Sequence, residues 1–376
     1  MENKKGLQIV VYILAAIGVI SLIGLGGFGV KTLIDKSSEN KTTEVTQSSE
    51  ELDLDSAILE QAGVTDSPDT ASSEGSTEGL GAIGEPTHET DAADLAKVLE
   101  GDGELVITFL GDSILDNFRD DTGICNIVSK ALDATVYNLG IGGISVSIPR
   151  GDALSDSTDG TVRGDASGIA LAEILAGNYS FNSIFDCTAK TILKENLEAI
   201  QQSDIFIIEY GINDFRCGRD SCNMDNLMDP TTYEGGLRRV ISSIRQVNPE
   251  AKIILCEPSY CYYLRDNGEW IGDSYTLNNG LGSLNDYGGK TNYVADTMAT
   301  GLYKLMFQGV GYDNMKEMLL DDGTHLNEKG RRVYAENLLG CMKRQGFIED
   351  YKWDGESHLV DVDKIVAENM AANDGQ

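Results

Sequence analysis

Leu105-Val106-Ile107-Thr108-Phe109-Leu110-Gly111-Asp112-Ser113 is the stretch that decides the fold. Its first part is apolar without alternation, the pattern of a strand covered on both faces, and it ends in a glycine, a carboxylate and a hydroxyl. A strand is expected from Glu104 to Leu110, with Ser113 on the turn beyond it. Three further runs read the same way: Thr135–Leu139, Asp204–Tyr210 and Ala251–Cys256. Helical patterns lie between and after them, over Asn117–Leu132, Thr188–Gln202, Thr231–Val247 and Glu328–Met342. Strand alternating with helix predicts an α/β domain with a parallel sheet, helices on both faces and right-handed crossovers. Ser145–Asp186, rich in Gly, Asp and Ser, is expected to form loops and short helices over the active-site face. Asn292–Asp296 is expected to be a fifth strand leading into a helix that ends near Gln308.

Outward from this domain the composition changes. The chain has 376 residues and a formal charge of −32, which argues against a nucleic-acid partner and against anionic lipid. Acidity of this kind serves solubility. Near the N-terminus, Lys4 and Lys5 precede a charge-free apolar run from Ile9 to Val30, long enough to span a bilayer. No A-x-A site follows it, so residues 1–36 read as an uncleaved signal anchor; the alternative is a removed signal peptide and a secreted domain. Residues 37–94 are rich in Ser, Thr, Glu and Asp, and no aromatic residue stands between Phe28 and Phe109. Such a segment buries too little apolar surface to offset its ordering entropy and is expected to be a disordered linker. The globular domain is assigned to 95–350 and an acidic tail to 351–376. The expected location is a single-pass membrane protein with its domain outside the cytoplasm.

His325 is the only histidine between Leu95 and Asp350; His88 and His358 fall in the linker and the tail. Asp322 stands three residues before it in Asp322-Gly323-Thr324-His325. In open α/β sheets ligands bind beyond the carboxyl ends of the strands. Ser113 follows the first strand, Gly140, Gly142 and Gly143 follow the second, and Gly211-Ile212-Asn213-Asp214 follows the third. A serine is a poor nucleophile until a base takes its proton, and a carboxylate beside that base fixes its tautomer. Ser113, His325 and Asp322 are the parts of a serine esterase. No G-x-S-x-G surrounds a plausible serine, so the nucleophile-elbow arrangement is excluded.

These four blocks resemble the SGNH/GDSL hydrolases over about residues 104–347. The resemblance implies a flavodoxin-like three-layer α/β/α sandwich, the SGNH hydrolase fold. It implies Ser113 as nucleophile, Gly143 (with Gly142 as the alternative) as the block-two glycine, Asn213 as the oxyanion asparagine, and Asp322 and His325 as the rest of the triad. Ile114 departs mildly from the usual Gly-Asp-Ser-Leu. The backbone amides of Ser113 and Gly143 and the side-chain amide of Asn213 can supply three donors to an oxyanion. No cofactor or metal is implied. The expected partner is a small acyl ester or an acylated carbohydrate, and the expected activity is carbohydrate O-deacetylation. An O-acyltransferase acting on a cell-surface polysaccharide, or a non-catalytic binding module, are the alternatives.

Seven cysteines leave at least one unpaired within the chain. Cys217, Cys222, Cys256 and Cys261 fall at or after the third and fourth strands. They admit two disulfides, a four-thiolate zinc site or unpaired buried thiols, and outside the cytoplasm disulfides are the expectation. Trp270, Tyr260, Tyr262 and Tyr263 read equally as a sugar-binding rim or as packing residues.

Overall fold

The computed structural model describes residues 105–149, 166–265 and 267–374. The anchor Ile9–Val30, the linker 37–94 and the domain's first residues, Leu95–Glu104, lie outside them. Among the described residues no helix is long and apolar enough to cross a membrane.

The chain begins with β1 (Val106–Gly111), α1 (Ser113–Asp116), α2 (Ile124–Leu132) and β2 (Thr135–Gly140). It continues through α3 (Gly168–Leu175), α4 (Thr188–Glu195), α5 (Leu197–Gln201) and β3 (Ile205–Glu209). Then come α6 (Ile212–Arg216), α7 (Tyr233–Val247), β4 (Lys252–Cys256) and a hairpin of β5 (Tyr262–Leu264) and β6 (Trp270–Asp273). The last elements are α8 (Leu284–Thr297), β7 (Gly301–Tyr303), α9 (Met315–Met318), α10 (Glu328–Arg344) and α11 (Val362–Asp374).

Five strands form a parallel sheet in the order β2-β1-β3-β4-β7. With β5 and β6 set apart as an antiparallel pair, this is the flavodoxin-like order, whose direction reverses between β1 and β3. The expected parallel α/β architecture is therefore present. Right-handed crossovers place α2 on one face and the helices following β2, β3 and β4 on the other. Contacts follow suit: α10 packs on α2, whereas α7 packs on α3 and α8. Every residue of β3 is buried, and Ile107, Phe109 and Leu110 of β1 are fully so, as strands covered on both faces require.

Register positions the site. Gly111 pairs with both Gly140 and Glu209, so the segments that leave β1, β2 and β3 emerge side by side. Ser113, Gly143 and Asn213 all lie within four residues of those ends.

Three expectations are corrected. Asn292–Asp296 is helical, within α8, and the fifth strand is Gly301–Tyr303. The helix is nucleated by a capping box, in which Ser283 accepts from the Asp286 amide and Asp286 accepts from Ser283. Its buried side recurs at helical spacing through Leu284, Tyr287, Gly288, Thr291 and Val294. The expected helix Asn117–Leu132 is divided, because Asp120 turns the chain by accepting from the Thr122 amide and hydroxyl, and α2 starts after Gly123. Within the polar stretch 145–186, Gly168–Leu175 is a core helix rather than a cover over the site. Its sequence is apolar nearly all round, so it buries against α7.

The segment after Ile348 lies along α10. Arg332 sits over the Trp353 ring at 4.7 Å, and the amides of His358 and Val360 donate to Glu336 and Asn337 at 2.7 and 2.8 Å.

Candidate active site

Asp112 ends the turn after β1 and caps α1, its Oδ1 accepting from the Ile114 amide at 3.0 Å. This cap fixes Ser113 as the first residue of the helix, half-buried, with its hydroxyl 2.8 Å from His325 Nε2. On the other side of the imidazole, Nδ1 lies 2.6 Å from Asp322 Oδ2. The second Asp322 oxygen accepts from the amides of Thr324 and His325, each at 2.9 Å, so the carboxylate is aimed by its own turn. Burial opposes ionisation of Asp322, but the hydrogen bonds from His325 and the Thr324 amide outweigh it and hold the carboxyl below its ordinary range. The structure thus brings Ser113 to His325, 212 positions away in the chain, and to the Asp322 beside it.

The histidine loop is clamped. Leu320 donates to the His325 carbonyl at 2.8 Å and Asn327 to the Met318 carbonyl at 2.9 Å. Gly323 has φ +69°, and a Cβ there would stand 2.3 Å from the Tyr262 carbonyl oxygen. Only glycine fits. Arg216, at the end of α6, donates to the Thr324 hydroxyl. Arg331 on α10 donates to the Leu326 carbonyl at 2.8 Å and to the Thr122 carbonyl at 2.9 Å, joining the histidine loop to the loop that follows α1.

The glycine segment after β2 is held by a side chain that motif spacing does not reveal. Asp116 accepts from the Gly142 amide at 2.7 Å, and Arg119 binds Asp116 at 2.8 Å while donating to the carbonyls of Asn138 and Gly140. A Cβ on Gly142 would lie 3.8 Å from the Ser113 Cβ. Gly143 is exposed, with φ +77° and open space where a Cβ would be. The Gly142 N–H is committed to Asp116, which leaves Gly143 as the block-two residue whose amide can serve a ligand. Just beyond, the buried Asp214 accepts from the Val146 and Ser147 amides and the Ser147 hydroxyl.

Asn213 sits half-buried at the start of α6. Its Nδ2 donates to Asp112 Oδ2 at 3.1 Å and to the Ile144 carbonyl at 3.0 Å. Both amide protons are thus engaged within the protein, and serving an oxyanion requires one of them to be released or shared. Behind this contact lies a buried carboxyl pair. Burial pushes Asp112 up to about 6, against the pull of the Ile114 amide and the His325 charge. Burial, reinforced by the Asp112 charge, raises Glu209 well above the ordinary carboxylate range. Both are almost wholly inaccessible, so burial opposes charge on either carboxyl and charge on one opposes charge on the other.

One expectation about the rim is corrected, and one even reading is divided. Cys217, Cys222, Cys256 and Cys261 are free thiols, as are the other three cysteines, so the expected disulfides do not form. Their surroundings differ: Cys217 is exposed after α6, Cys222 half-buried, Cys256 buried at the end of β4, and Cys261 buried beside Arg216 and Tyr263. Among the described residues no group of three or more His, Cys, Asp and Glu is placed to hold a metal. Tyr260, Tyr262 and Tyr263 are buried packing residues, whereas Trp270 is 41% exposed.

A sequence profile for GDSL-like lipase/acylhydrolase matches residues 107–338. No curated protein sequence matches significantly. Solved structures that match include a possible lipase from Chitinophaga pinensis, 19% identical, covering 65% of this chain and 100% of that one with a TM-score of 0.42. A carbohydrate acetylesterase from Sinorhizobium meliloti is 14% identical, with 65% and 100% covered and a TM-score of 0.41. A lipase/acylhydrolase from Enterococcus faecalis is 16% identical, with 67% and 100% covered and a TM-score of 0.37.

Proposed function

Because the chain belongs to the GDSL-like lipase/acylhydrolase family, we propose that it is a serine esterase acting through Ser113, His325 and Asp322 on O-acetylated carbohydrate. The observation that carries this reading is the continuous contact from Ser113 Oγ through the imidazole to Asp322, at 2.8 and 2.6 Å. His325 Nε2 takes the hydroxyl proton as Ser113 Oγ bonds to the ester carbonyl carbon. Asp322 holds the Nδ1 proton in place and stabilises the imidazolium that forms. The developing oxyanion accepts from the Ser113 and Gly143 amides and from Asn213, which turns one proton away from the Ile144 carbonyl or Asp112. Collapse expels the sugar alkoxide, which takes the proton from His325, and leaves an acetyl-serine. Water, deprotonated by the same imidazole, then releases acetate.

A saccharide leaving group suits the open side of the site, where Gly142 and Gly143 are exposed beside Ser113. It also suits a domain tethered outside the cytoplasm by the apolar run Ile9–Val30. The test is a fluorophosphonate label followed by peptide mapping, together with acetate release from acetylated oligosaccharides and from long-chain acyl esters. Labelling at Ser113 with preferred release from acetylated saccharide is expected. A protein that takes no label at Ser113, or that prefers long acyl chains, contradicts the reading.

A further inference from the structure

A groove of about 560 Å³ lies beside the histidine loop, between the β5–β6 hairpin and the segment leading into α9. Its walls include Tyr262, Trp270 and Tyr312 on the apolar side and Asp313, Asn314, Lys316 and Glu317 on the polar side, two carboxylates to one ammonium. One of its lining residues is tied to the histidine loop, since the Tyr262 amide donates to the Gly323 carbonyl at 2.8 Å and Gly323 follows Asp322 in the chain. Tyr262 stacks behind Trp270, with centroids 6.0 Å apart and an 11° tilt, which fixes the indole plane. Tyr312 stands at 84° to Trp270, also at 6.0 Å. The two outer rings are 41% and 65% exposed, and they meet at a fixed corner on one groove rather than standing singly on the surface.

We propose that this groove holds a neutral pyranose ring of the saccharide whose ester is presented to Ser113, a proposal that rests on the carbohydrate-ester reading above. The face of a pyranose carries polarised C–H bonds that fit the negative face of an aromatic ring, and its rim carries hydroxyls. A fixed corner of two exposed rings supplies the first kind of contact. The exposed carboxylate of Asp313, and that of Glu317 beside its Lys329 partner, supply the second, while the Asn314 side chain shapes the wall by bonding the Gly311 amide and the Gly309 carbonyl. The chain's charge of −32 disfavours an anionic occupant. Binding energy gathered here, away from the reacting bond, positions the ester at Ser113.

The chain has two tryptophans, and the second, Trp353, lies under Arg332. A Trp353→Phe variant of the full-length chain therefore leaves Trp270 as the sole indole reporter. Titration with xylohexaose, mannohexaose and N-acetylchitohexaose, none bearing an O-ester, is expected to change Trp270 emission saturably with at least one of them. Tyr312→Ala in that background is expected to weaken this binding about tenfold. In the otherwise native chain, Tyr312→Ala is expected to lower by about tenfold the ratio of kcat/KM on the acetylated form of that saccharide to kcat/KM on p-nitrophenyl acetate. The ratio cancels any general loss of fold. No saturable change with all three saccharides, or an unchanged ratio, overturns the assignment. Saccharide binding without acetate release keeps the groove and removes the esterase reading, and acetate release without binding at Trp270 does the reverse.

Discussion

At the scale of single residues, Asp112 joins the nucleophile turn to the Asn213 amide, and it does so from a site with almost no access to water. Its burial sets a pH dependence whose sign can be worked out. The native carboxyl releases its proton at about 6, against an ordinary value of 3.8, so between about pH 4 and 6 the folded chain holds a proton that the unfolded chain has lost. The stabilising contribution of this group is full below about pH 4 and falls as pH rises through 6. Glu209 acts in the same direction and Asp322 in the opposite one. Asp112→Asn, which keeps an oxygen for the Ile114 cap, is expected to flatten the fall in urea midpoint between pH 4 and 6.5. An unchanged slope would place the effect elsewhere. The catalytic assignments predict graded losses on a short acyl ester. Ser113→Ala and His325→Ala are each expected to lower turnover on the order of 10⁴-fold, with the double variant little worse than either. Asn213→Ala is expected to cost about 10²- to 10³-fold, mostly in kcat. Wild-type-like turnover by Ser113→Ala would end the serine-hydrolase reading.

Ser113, Asp322 and His325 were legible because the chemistry restricts them to few residue types and the strand pattern restricts where they stand. Asp116 and Arg119, which hold Gly142, were not legible, because an acidic and a basic residue three apart in a polar stretch is an ordinary surface pattern. Nor was the state of the cysteines, since spacing along the chain does not report which way a thiol points.

At the scale of elements, α6 is five residues long and still anchors three parts of the site. Asn213 reaches Asp112 and the Ile144 carbonyl, Asp214 holds the amides of Val146 and Ser147, and Arg216 reaches Thr324 in the histidine loop. Arg216→Ala is expected to lower kcat by roughly tenfold by loosening that loop, since misplacement of about 1 Å can cost as much as 10². Equal losses in kcat and in urea midpoint, restored together at low temperature, would mark Arg216 as a stability residue only. In α8 the sequence did carry the answer, in Ser283-x-x-Asp286 ahead of an apolar face at helical spacing. The apolar cluster near Val294 is too short to separate strand from helix, and the cap decides it. Ser283→Ala is expected to destabilise the domain by ~1 kcal/mol in urea unfolding, with the Ser113 fluorophosphonate label still taken up.

At the scale of the whole molecule, the parallel sheet was legible from four apolar runs because strands covered on both faces leave no polar alternation. The fifth was not, because β7 is only three residues long and starts with glycine. Free thiols throughout predict that titration of the unfolded, unreduced protein finds seven reactive groups; three would restore the disulfides. The proposed anchor predicts that full-length protein sediments with membranes and that external protease releases the domain by cutting within Ser37–Asp94.

The 212-residue separation of Ser113 from His325 bears on when in its biosynthesis the protein can act. The nucleophile leaves the ribosome early and its base near the end, and the helix that ties the base down, α10, follows later still. Chains that end before Asp322 therefore contain Ser113 but neither the proposed base nor the carboxylate beside it. On the proposed location and mechanism, a chain that crosses the bilayer unfolded gains the Ser113–His325 contact only after delivery, so its activity is timed by folding.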